Sequence, residues 1–149
     1  MTVNISVNKS EWVNKAIEMK LGGFVRCEWL TATHNGGDSF DISLMISNEE
    51  LSESTILTTQ IESSIESLTS IYSSVGFHER EVTQMFGVEF VGNLDTSSAF
   101  EIELSGFPLR RDFALTTRVD APWPGAVEPD ENAKRRPPLP PGVLPEWTL

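Results

Sequence analysis

The 149-residue sequence predicts an α+β domain: a mixed or antiparallel sheet of about four strands with helices packed on it, followed by an extended proline-rich C-terminal tail. Three observations carry this reading. Apolar and polar residues alternate over 24–33 and 39–47, on either side of Asn35-Gly36-Gly37-Asp38. Apolar residues recur at helical spacing over 11–21 and 76–87, and both runs stop at glycine. Eight of the nine prolines lie after Asp120, which divides a folded domain at 1–119 from a tail at 120–149.

Taken in order, Ser10 is a candidate N-cap for the first helix. Trp12, Val13, Ala16, Ile17 and Leu21 form its apolar stripe, and Gly22-Gly23 ends it. The strand at 24–33 places Val25, Cys27 and Trp29 on one face and Arg26, Glu28 and Leu30 on the other. Residues 35–38 tolerate positive φ and connect it as a hairpin to 39–47, where Phe40, Ile42, Leu44 and Ile46 share a face. A third strand is expected at 55–62, rich in Thr and Ile, and a short helix at 65–73. After the helix at 76–87, short strands are expected at 88–91 and 100–104. From Ala121 onward the prolines remove backbone donors and favour extended chain.

The formal charge of −11 argues against a nucleic-acid partner, whose phosphates require a Lys/Arg surface. Between Arg26 and Arg80 there is neither Lys nor Arg, while nine acids fall there, a surface suited either to a basic protein partner or simply to a solubilising acidic exterior. The single Cys27 excludes an internal disulfide or a multi-cysteine cluster built from this chain alone. It alternates with Val25 and Trp29 as a small apolar residue would. Residues 1–11 have no signal-peptide character and no stretch approaches membrane-spanning length, so the chain is expected to be soluble by itself.

The most specific stretch is Gly76-Phe77-His78-Glu79-Arg80-Glu81-Val82-Thr83-Gln84-Met85-Phe86-Gly87-Val88, with Gly106-Phe107-Pro108-Leu109-Arg110-Arg111-Asp112-Phe113 after it. At about 100° per residue, Val82, Met85 and Phe86 form one stripe with His78 a turn earlier. Glu79 and Glu81 flank that stripe, partly desolvated, and Arg80 points away. The two carboxylates diverge by about 200° and cannot act on one substrate atom as acid and base. Arg110 and Arg111 offer guanidinium forks for carboxylates. A Glu/Arg network is thus expected, either between the two motifs or across a subunit boundary. No phosphate loop or dinucleotide fingerprint occurs, and the residues favour an interaction protein.

The first run resembles the aromatic-x-E-R-E-x-x-D-L/M-F-G-I/V signature of the C subunit of proton-pumping NADH:quinone oxidoreductase, and the second its G-x-P-L-R-K-D-F element. The likeness extends over roughly 24–113. It implies a domain that itself binds no cofactor, lying in the peripheral arm on the cytoplasmic side of the membrane. Iron–sulfur clusters, flavin and quinone would belong to partner subunits. Related domains occur in membrane-bound hydrogenase and formate hydrogenlyase complexes. By resemblance, Glu79, Arg80, Glu81, Met85, Phe86, Gly87, Pro108, Arg110, Arg111 and Asp112 are interface and fold residues, and none is catalytic. Gln84 stands where the family has Asp, and 93–98 replace a stretch that usually carries His-Pro and an Arg. The paired loss of an acid and an arginine suggests an ion pair exchanged for neutral contacts and a divergent assembly, of which a hydrogenase- or ferredoxin-linked complex is the alternative. A free-standing small-molecule-binding or hydrolytic domain is the alternative from another class.

Overall fold

The computed structural model describes residues 2–101 and 104–114. Strand β1 (Thr2–Ser6) leads through a 3-10 turn (Lys9–Glu11) into helix α1 (Trp12–Leu21). Three long strands follow, β2 (Arg26–Gly36), β3 (Ser39–Asn48) and β4 (Glu53–Ile61), then β5 (Ser64–Glu66), helix α2 (Val75–Phe86) and β6 (Glu89–Val91). The main sheet has order β1-β4-β3-β2, with β2, β3 and β4 antiparallel and β1 parallel to β4. It is therefore a mixed four-stranded sheet, and the α+β class expected from the sequence holds.

On β3, Phe40, Ile42, Leu44 and Ile46 all face the core, as their alternation requires. Leu57 and Ile61 of β4 join them, with Trp12 and Ala16 of α1 and Val75, Val82 and Phe86 of α2. The Tyr72 hydroxyl donates to the Phe24 carbonyl at 2.8 Å, tying the end of α1 to the segment before α2. Burial pushes its pKa up to about 12.

Several expectations are corrected. Strand β1 lies outside the expected elements, and it supplies the parallel edge. Ser10 lies in the 3-10 turn rather than at the cap, and α1 starts at Trp12 without a side-chain cap. In β2 the inward face changes phase: Cys27 is buried, but so are Leu30, Ala32 and His34, while Val25 is exposed and Trp29 intermediate. A register shift between Cys27 and Trp29 causes the change of phase, because Cys27 pairs with Ile46 and Trp29 with the adjacent Met45, while Val25 precedes the strand. One extra residue at Glu28 reverses every side chain after it.

The helix expected at 65–73 is absent. Ser64–Glu66 forms a strand parallel to β6, followed by turns. A helix would aim the Thr69 N–H at the Ile65 carbonyl, but that donor goes to the Ser67 hydroxyl, and the Leu68 N–H goes to the Glu79 carboxylate. Leu68, Ile71 and Tyr72 are buried from turns and irregular chain, which is why their spacing imitates a helix. At 100–104, Phe100, Glu101 and Leu104 are not in a strand. The expected tail at 120–149 lies outside the described residues.

Candidate functional site

Helix α2 ends at Gly87, whose φ of 74° is a left-handed conformation that a side chain would resist. Its N–H donates to Thr83 O, closing the last turn. A Cβ here would also lie 2.5 Å from the Phe107 ring, so the second motif packs where only glycine fits.

The buried face of α2 is Val75, Glu79, Val82 and Phe86, spaced i, i+4, i+7 and i+11. This differs from the expected stripe. His78 and Met85 are only partly buried, whereas Glu79, expected at the border, has 0% exposure. Starting the helix at Val75 adds a buried turn that the charged run concealed.

Glu79 is satisfied by neutral donors. Its Oε1 accepts Leu68 N–H at 2.8 Å, and its Oε2 accepts the Ser67 hydroxyl at 2.8 Å and the Asn93 amide at 2.9 Å. Burial raises its pKa, opposed by these three hydrogen bonds. Arg80 reaches the same loop from another side of the helix. Its Nη1 lies 3.0 Å from Asp95 Oδ2 and donates to Ser97 Oγ at 2.5 Å, and that hydroxyl donates to Asp95 Oδ1 at 2.6 Å. The Ser97 hydroxyl and N–H, with Arg80 adding to them, hold the Asp95 pKa below the usual range. Gln84 is the third anchor: its Oε1 accepts Ala99 N–H at 3.1 Å, Phe100 N–H at 3.2 Å and the Ser98 hydroxyl at 3.1 Å. Three helix residues therefore brace one loop, 93–100.

The second motif closes the helix's other end. Arg110 Nε donates to the Phe86 carbonyl at 2.6 Å, placing a cation where the helix dipole is negative. Its guanidinium lies over the Phe107 ring (4.5 Å) and the Phe40 ring (5.2 Å). Leu109 N–H bonds Met85 O at 3.3 Å. Pro108 is partly buried in this turn. Arg111 contributes its backbone, since its N–H donates to His34 Nδ1 at 3.0 Å while His34 Nε2 donates to Gly37 O at 2.8 Å. The ring needs its Nδ1 lone pair for this bond, which assigns the proton to Nε2. Asp112 Oδ1 is 3.9 Å from the same nitrogen and largely exposed.

The expected Glu/Arg network thus does not join the motifs within the described residues. A fully buried carboxylate is served by donors packed beside it, and Arg110 is held by a helix carbonyl and two rings. Glu81 is 3.9 Å from His78 Nδ1 and partly exposed. The loop anchors Asn93, Asp95 and Ser97, with Ser67 and His34, lie outside the site residues that the sequence predicts. The short polar run 93–98 is their only signal there, as residues that hydrogen-bond to nearby backbone. Cys27 is buried and its thiol is pushed up to about 11 by that burial. A cleft of about 450 Å³ lies between the end of α2, β6, the loop and Phe107.

The sequence pattern of the family described as "Respiratory-chain NADH dehydrogenase, 30 Kd subunit" matches residues 5–119. The C subunit of the NADH-quinone oxidoreductase of Rickettsia bellii is 36% identical over 99 residues, covering 64% of this chain and 47% of that protein. The chain thus spans about half the length of this relative. Among solved structures, a trypsin-resistant fragment of Nqo5 is similar with TM-score 0.55 and 16% identity, covering 62% of this chain and 80% of the fragment. A chain of the membrane-bound sulfane sulfur reductase, an archaeal respiratory membrane complex, is similar with TM-score 0.65 and 22% identity, covering 77% of this chain and 74% of that one. At these identities the two structures establish likeness of fold.

Proposed function

Since this chain belongs to the family of the respiratory-chain NADH dehydrogenase 30 Kd subunit, we infer that it is a non-catalytic scaffold subunit of a complex I-like NADH:quinone oxidoreductase. It braces the neighbouring subunits that carry iron–sulfur clusters, flavin and quinone, so that electron-transfer distances stay constant while transfer is coupled to ion translocation. It acts peripherally, on the cytoplasmic side of the membrane, and reaches the membrane only through the complex. No helix among the described residues is long and apolar enough to cross a membrane.

The observation that carries this reading is the use made of the signature. Glu79, Arg80 and Gln84 each hold the 93–100 loop, and Arg110 clamps the helix end. These groups serve the shape of a surface. Arg80→Ala removes the Asp95 and Ser97 contacts that hold the loop. The expected result is less assembled complex on native gels, with NADH:quinone turnover per assembled complex unchanged. Normal assembly with selectively lost turnover would contradict the scaffold role.

A further inference from the structure

From Cys27 to Leu109 the only Lys or Arg is Arg80, and its guanidinium is engaged by Asp95 and Ser97. Among the described residues, the surface around the 450 Å³ cleft therefore combines carboxylates outside any ion pair with exposed apolar groups. In the β5–β6 pair, Ile65 and Phe90 turn inward, so the period of two puts Ser64, Glu66, Glu89 and Val91 on the outward face. Glu66 sits opposite Val91, and Glu89 lines the cleft. Among the described residues neither glutamate has an ion-pair partner.

The apolar component lies on the same rim. Val91 is 54% exposed and Phe107 38% exposed, and both line the cleft. Leu94, between the cleft residues Asn93 and Asp95, is 97% exposed. The loop that presents it is held at three points, so the lip is pre-organised, which lowers the ordering cost of binding. The nearby Arg110 is turned to the Phe86 carbonyl and two rings and makes no ion pair with either glutamate among the described residues.

We propose that this cleft is a docking surface for a partner-subunit segment carrying an apolar anchor side chain flanked by Lys or Arg. The anchor enters between Phe107 and Val91, and the flanking cations meet Glu66 and Glu89. Charge complementarity selects this occupant, since an acidic or neutral apolar segment would leave both glutamates desolvated without a counter-charge. The proposal rests on the reading of the chain as a subunit of a larger assembly.

The test places the photo-crosslinker p-benzoylphenylalanine at Val91 or Leu94 of the full chain in its assembled complex, with Leu21 as control position. The expected adduct joins one segment of a copurifying subunit, with two or more Lys or Arg within three residues of the attachment point. Its yield falls about fivefold or more with Glu66→Lys and Glu89→Lys together, and not with Asp38→Lys and Glu53→Lys, which change net charge equally. Unchanged melting of both double variants confirms that they fold. An adduct to a segment without basic residues, to a second copy, or to this chain's own residues 116–149 overturns the proposal, as does a yield indifferent to the charge reversal or no adduct at either position. If the chain assembles but crosslinks in one of these ways, only the docking surface fails. A chain that joins no complex overturns the scaffold reading as well.

Discussion

The carboxylate of Glu79, with no solvent exposure, accepts the side-chain amide of Asn93 at 2.9 Å, joining the buried face of α2 to the loop at the rim of the cleft. Glu79→Gln replaces one acceptor with a donor. The new NH2 would face the Asn93 amide, or its oxygen would abandon Leu68 N–H. The expected loss is about 1–3 kcal/mol, read as a lower urea midpoint at unchanged slope. A variant as stable as the parent would remove Glu79 from the structural role given to it.

The same residue sets a pH dependence. Its folded-state pKa is raised above 4.5, mainly by burial, so the folded state binds this proton more tightly than the unfolded state. Its contribution is fully present below about pH 4.5 and is lost as pH rises through the folded pKa. From pH 4.5 toward neutrality, the stability of the parent relative to Glu79→Gln should therefore decline. Asp95, with a lowered pKa, acts in the opposite sense at lower pH: its contribution is lost as pH falls through the folded value. Parallel stability curves for parent and variant from about pH 4.5 to about pH 7.5 would refute the Glu79 assignment.

Gly87→Ala combines a left-handed φ of 74° with a Cβ 2.5 Å from the Phe107 ring. The conformational part alone costs about 1–2 kcal/mol. The contact adds to it, so the melting temperature should fall further than for either cause alone. Adding Phe107→Ala should recover the contact part, making the double variant less destabilised than the sum of the singles. Strict additivity would show that Phe107 does not occupy the space beside Gly87.

His34 fastens the second motif to the sheet through its bond to the Arg111 N–H. His34→Leu keeps an apolar group beside Phe40 but leaves that N–H without its acceptor. Amide exchange should speed up by about tenfold or more around Arg111, the equivalent of losing about 1.4 kcal/mol of local protection. Residues of β3 and β4 should be unaffected. Equal acceleration throughout the sheet would mean that His34 supports the core and not the motif.

Much of this protein is legible in the order of its residues. The Phe40, Ile42, Leu44, Ile46 alternation determined a half-buried strand, Gly22-Gly23 and Gly87 determined where two helices stop, and the paired motifs determined the family, because each signal is local. Tertiary structure alone decided three other matters. A bulge in β2 set which residues after Cys27 face inward, since register depends on the partner strand. The parallel β5–β6 pairing holds Ser64–Glu66 in extended chain, where the first turn of a helix at 65–73 would have had to form. Above all, packing turned Glu79 into the core. Its charge reads as a border residue in one dimension, and only the convergence of Ser67, Leu68 and Asn93 from elsewhere in the chain makes a buried carboxylate tolerable.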